Sequence, residues 1–165
     1  MDRFVLSALV QNNAGVLSRV SGLFSRRGFN IDSLTVGETS DARLSRMTIV
    51  AQGDEARLEQ VEKQLAKLIE VVAVHRLDAN RSVCREIALV KVKASSETRA
   101  SIIQIADVFR ARVVDVASES LIVEVTGDQG KVDGLIELLD PYGILELART
   151  GIAALGRGPL VLSLI

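Results

Sequence analysis

The sequence predicts an α+β fold of two tandem ferredoxin-like βαββαβ sandwiches, on three observations. Apolar residues switch between the period of two of a strand and the period of about 3.6 of a helix, in the order strand, helix, strand, strand, helix, strand. That series runs twice within 165 residues. Between the two runs lies Asp78-Ala79-Asn80-Arg81-Ser82, a polar stretch with neither period. A βαββαβ unit folds as an antiparallel sheet with both helices on one face.

In the first run, residues 4–10 (FVLSALV) form the opening strand. A helix follows over 15–27, with Val16, Leu17, Val20, Leu23 and Phe24 on one face. Asn12 or Asn13 is placed to cap its start, and Gly28 stands where a left-handed residue ends a helix. Strands are expected over 30–37 and 45–52, joined by the polar turn 39–43. Gly53-Asp54 opens the second helix, whose stripe is Leu58, Val61, Leu65 and Leu68. Glu59 and Lys63 make an i,i+4 pair on its wet side. The fourth strand covers 70–77.

The second run has a strand over 86–93, a helix over 97–111, strands over 113–117 and 121–126, and a helix over 130–139. Val132, Leu135, Ile136 and Leu139 face inward, and Pro141-Tyr142-Gly143 stops this helix before a strand over 144–150. The expected domains are therefore 1–78 and 84–165, with 79–83 as the linker. The second includes a glycine-rich stretch, 151–158, and the apolar end 160–165, which is expected to dock on other surface. A sheet covered by helices on one face only leaves its other face and edges open to pairing. With the alternation of Leu34-Thr35-Val36 and Met47-Thr48-Ile49-Val50, that points to a homodimer.

Composition excludes several roles. Twenty basic and 21 acidic residues leave a net charge of −1, which gives no field for nucleic acid or a membrane surface. Aromatics make up 3% and Trp is absent, so platforms for stacking bases are missing. A single cysteine, Cys84, forbids an internal disulfide and a cysteine-rich metal site, and fits a reducing compartment such as the cytoplasm. No apolar run is long enough for a membrane helix, and no targeting pattern precedes the first strand.

Readable chemistry is concentrated at Gln11-Asn12-Asn13-Ala14-Gly15-Val16-Leu17, the turn from first strand to first helix. A helix start carries unpaired N–H groups and partial positive charge, which suit a carboxylate. Gly15 lets a ligand approach the backbone, and the Asn12 and Asn13 amides offer donors and acceptors for a zwitterion. Asn30 and Ile31, at the start of the second strand, pair a polar contact with an apolar wall. The same turn also serves as an ordinary helix cap, so by itself it leaves ligand binding open.

Elsewhere the residues read as structural. The one histidine, His75, falls in an alternating strand. Cys84 has no histidine near it in sequence, and Arg26-Arg27 closes a helix where the dipole favours cations. Asp115, Glu124 and Glu146 read as solvent-side strand positions. No metal cluster, nucleophile elbow or carboxylate dyad emerges, and no enzyme is expected.

Residues 12–50, NNAGVLSRVSGLFSRRGFNIDSLTVGETSDARLSRMTIV, resemble the ACT-domain segment of the small regulatory subunits of acetohydroxyacid synthase (acetolactate synthase). The pieces N-x-x-G-V-L-x-R-V, G-L-F-x-R-R-G-F-N-I-x-S-L-T-V and L-S-R-M-T-I stand in order at that family's spacing. REIALVKV, VFRARVVDV and ELARTGIAALGRG extend the resemblance over the second half. Gln11 and Asn13-Ala14 stand where family members often carry an acidic residue and Lys-Pro.

The resemblance implies a subunit with no active site or cofactor of its own. Its partner would be a catalytic large subunit holding thiamine diphosphate, magnesium and FAD. The chain would activate that enzyme and confer feedback inhibition by valine at the ACT dimer interface. Carried over by position, Asn12, Ala14, Gly15, Val16 and Leu17 would take the carboxylate and amino ends, and Asn30 and Ile31 of the other chain would complete the pocket. A stand-alone amino-acid-sensing module acting on another enzyme or on transcription is the alternative.

Overall fold

Alternation decides which side of each strand is dry. In β1 (Asp2–Gln11), Phe4, Leu6, Ala8 and Val10 are all buried and point to one face. They meet Val16, Val20, Leu23 and Phe24 of α1 (Val16–Arg26) and Leu58, Val61 and Leu65 of α2 (Glu55–Leu65) in one core. The sheet is completed by β2 (Ile31–Glu38), β3 (Leu44–Gly53) and β4 (Val71–Leu77), in the antiparallel order β2-β3-β1-β4. The computed structural model describes residues 2–159, 161 and 162.

After a 3-10 turn at Ala79–Arg81 the same plan repeats. The strands β5 (Ser82–Lys93), β6 (Arg112–Val116), β7 (Ser120–Gly127) and β8 (Ile144–Arg149) take the equivalent order, β6-β7-β5-β8. Ala88, Val90 and Val92 of β5 pack against Ile102 and Ala106 of α3 (Arg99–Val108) and Val132, Leu135 and Leu139 of α4 (Gln129–Leu139). The expected helix over 97–111 is shorter at both ends. Ser95 and Thr98 bond to each other ahead of it, and Arg110, left-handed at φ 50°, closes it with Ala111 N donating to Ala106 O at 2.8 Å.

Contacts divide the chain into one unit of residues up to Cys84 together with those from Ile152 on, and a second, Arg85–Gly151. This differs from the expected division into 1–78, 79–83 and 84–165. Residues 79–83 are not a free linker but a turn running straight into β5. The glycine-rich stretch returns to the first unit because two of its side chains are apolar enough to be buried. Ile152 and Ala154 pack with Val50, Val5, Leu77 and Cys84 on the sheet face that carries no helix, and Ile152 N donates to Ser33 Oγ at 3.0 Å. The short strand β9 (Ala153–Gly156) pairs with β5. Of the apolar end 160–165, Leu160 and residues 163–165 lie outside the described residues.

Candidate functional site

Gly15 is the residue that shapes the first loop. It occupies the cap position of α1 at φ 86°, and open space surrounds the position a Cβ would take. No side chain caps this helix, so neither Asn12 nor Asn13 does what their position suggested. Ala14 and Gly15 intervene as a turn, and the asparagines are committed elsewhere. Asn12 Nδ2 donates to Ala42 O at 2.9 Å and Asn13 Nδ2 to Gln11 Oε1 at 3.1 Å. In α2 and α4, by contrast, Asp54 and Asp128 accept from the third amide onward, at 2.8 and 2.9 Å.

The loop is braced by its neighbours. Asn12 N donates to Arg43 O at 2.7 Å and Gln11 N to Glu70 O at 2.8 Å. Arg19, one turn into α1, is ion-paired with Glu70. Within the 39–43 turn, Arg43 donates through both its side chain and its backbone N–H to Asp41, and those bonds hold the Asp41 carboxyl down at about 2. Asn12, Asn13, Ala14 and Gly15 are exposed, and Leu17 is 46% exposed despite being apolar. Val16 is a core residue, so only its backbone is available to a ligand.

Asn30 and Ile31 stand at the other end of the sheet. Ile31 is opposite Ala51, and Ala51 is opposite Phe4, whereas the loop leaves β1 after Gln11. Seven residues of strand separate the two places, about 23 Å. One copy of the chain therefore does not assemble the seven sequence-predicted residues into one pocket. Asp32 was missed in the sequence reading: it accepts from Asn30 Nδ2 at 3.4 Å and from Gln52 Nε2 at 2.9 Å, with Arg3 at 3.8 Å. A carboxylate at the second position of β2, two residues after Asn30, was the available signal.

Among the described residues no group of His, Cys, Asp or Glu is arranged to hold a metal ion. His75 is exposed on β4, and among the described residues no helix is long and apolar enough to cross a membrane.

Comparison with known proteins supplies the family. Residues 6–73 match the family described as AHAS small subunit-like ACT domain, and residues 85–158 the one described as small subunit of acetolactate synthase. A probable acetolactate synthase small subunit of Methanothermobacter thermautotrophicus is 53% identical, over 95% of this chain and 94% of that one. The acetolactate synthase small subunit of Mycobacterium leprae is 52% identical, over 93% and 91%. The crystal structure of the Thermotoga maritima small subunit superposes with a TM-score of 0.89 at 43% identity, covering 97% of this chain and all of that one. The chain thus belongs to the acetolactate synthase small-subunit family, and its first unit is an ACT domain.

Proposed function

We propose that the chain is the non-catalytic regulatory subunit of a cytoplasmic acetolactate synthase. It binds and activates the catalytic large subunit, which carries thiamine diphosphate, magnesium and FAD, and makes it sensitive to feedback inhibition by valine. The observation that carries the reading is the uncapped, glycine-led start of α1, set at the end of the sheet where the edge strand β2 finishes.

The separation of Asn30 from Gly15 then becomes an argument for a dimer. Glu38, the last residue of β2, lies opposite Ser45 and so at the same end of the sheet as Gln11. Antiparallel addition of a second copy's β2 to this edge brings its Asn30 and Ile31 alongside that end. The valine carboxylate takes the first-turn amides and the dipole of α1. Its ammonium takes Asn12 Oδ1, which accepts from no donor among the described residues, and its side chain lies against Leu17 and the second copy's Ile31. A ligand held by both copies shifts whichever arrangement of them it fits better, and that arrangement is what the large subunit senses.

The test mixes the chain with its large subunit and measures acetolactate formation with and without valine. Gly15→Asp puts a negative charge where the carboxylate binds; the space is open but the φ of 86° strains any side chain there, so Gly15→Ala, equally strained and uncharged, is the control. Valine sensitivity is expected to disappear while activation persists. A Gly15→Asp subunit that remains fully inhibitable would show the site assignment to be wrong.

A further inference from the structure

A second feature of the first unit lies on the opposite face of its sheet, away from α1. A groove of about 1100 Å³ runs between this helix-free face and the chain that returns after β9. Its wall is largely apolar, with Leu9, Leu77 and Leu155 among the lining residues. Leu155 is 58% exposed there although its neighbour Ala154 is buried. Four arginines also line it: Arg46 from β3, Arg76 from β4, Arg81 from the turn before β5, and Arg157 just after β9.

Arg76 is ion-paired with Glu55, which leaves Arg46, Arg81 and Arg157. None of the three has a side-chain hydrogen bond or ion pair among the described residues. Burial pushes the Arg46 guanidinium down, with no carboxylate to offset it. Arg81 and Arg157 are moreover neighbours across a backbone pairing, Arg157 N donating to Arg81 O at 2.7 Å. Like charges set side by side across such a pairing repel. Of the acids in the lining, Asp41 is taken by Arg43, while Glu38 and Asp78 form no ion pair with these arginines among the described residues, so three unpaired cations stand against two carboxylates.

We infer that this groove docks an acidic, apolar-flanked segment of a protein partner, which on the regulatory reading above is the catalytic large subunit. Guanidinium forks match carboxylates in pairs, and adjacent unpaired arginines are complemented by one acidic side chain or two. A small anion satisfies the charges but leaves Leu155 uncovered. A segment of chain covers both.

The experiment measures the affinity of the full chain for its large subunit, for the wild type and for the double variant Arg81→Glu/Arg157→Glu. The expected result is a loss of about tenfold or more for the double variant, which grows smaller as salt is raised. Valine calorimetry on the small subunit alone is unchanged, because the two sites lie on different faces. Arg81→Lys/Arg157→Lys retains most of the affinity and guards against a folding defect. A wild-type complex that the charge-reversed chain matches overturns the groove while leaving the regulatory reading standing; no wild-type complex at all overturns both. Saturable heat with inorganic phosphate or ATP that vanishes in the double variant, with the complex unaffected, overturns the segment in favour of a small anion.

Discussion

The Glu86 carboxylate, its side chain 3% exposed, is gripped from two sides by the guanidinium of Arg149, which also donates through Nη1 to Asp133 at 2.8 Å. This ties the first and last strands of the second unit to α4. Arg149 contributes a planar fork that a lysine does not reproduce. The pair raises the proton affinity of the guanidinium, chiefly through the Glu86 hydrogen bond.

Arg149→Met removes the partner of a buried charge and is expected to destabilise the second unit by about 3 kcal/mol. The double variant Glu86→Gln/Arg149→Met should recover most of that loss, because it leaves no buried charge unpaired. Urea unfolding of the three chains decides it. Equal losses in the single and double variants would mean that packing of the arginine stem, not the ion pair, is what matters.

Val36, 42% exposed on the edge strand β2, tests the dimer. Val36→Lys places a charge where a second β2 would pair, a device proteins use to protect edges. Sedimentation should show the variant shifted toward monomer, and its valine heat should fall with the dimer. Valine binding undiminished in a monomer would show that one copy suffices.

Asp41 provides a pH signature. Its folded pKa, about 2, lies below the ordinary 3.8 because Arg43 donates to its ionised form. The clasp is therefore complete above pH 3.8 and is lost as pH falls through 2. A carboxyl titration followed by NMR should place the midpoint near the lower value, and Arg43→Ala should return it toward the higher.

Asp54 and Asp128 cap α2 and α4 through Arg57 N and Lys131 N. Replacing either by Ala should cost about 1 kcal/mol, read in urea unfolding of the full chain. The corresponding exchange Asn13→Ala at α1 should cost far less, since that side chain caps nothing.

Much of the fold was legible because its signals are local. The buried stripe of α2, the alternation of β1 and the left-handed Gly28 all follow from side-chain period or from the absence of a Cβ. The early end of α3 was not, since Arg110 carries no glycine-like mark for its positive φ. The loop residues of the candidate site were also legible as a helix start, but not their hydrogen bonds. Asn12 bonds to Ala42, 30 residues away, and no nearby spacing encodes that.

The sequence by itself determined two βαββαβ units, their order of elements and the place of the glycine-led turn, because periodicity and turn chemistry act within a few residues. Only the tertiary structure decided that the chain from Ile152 covers the first sheet, that Asn30 stands at the far end of that sheet from Gly15, and that Glu86 meets Arg149. Each of these joins residues distant in sequence, and strand register and burial, which depend on the whole sheet, set their separation.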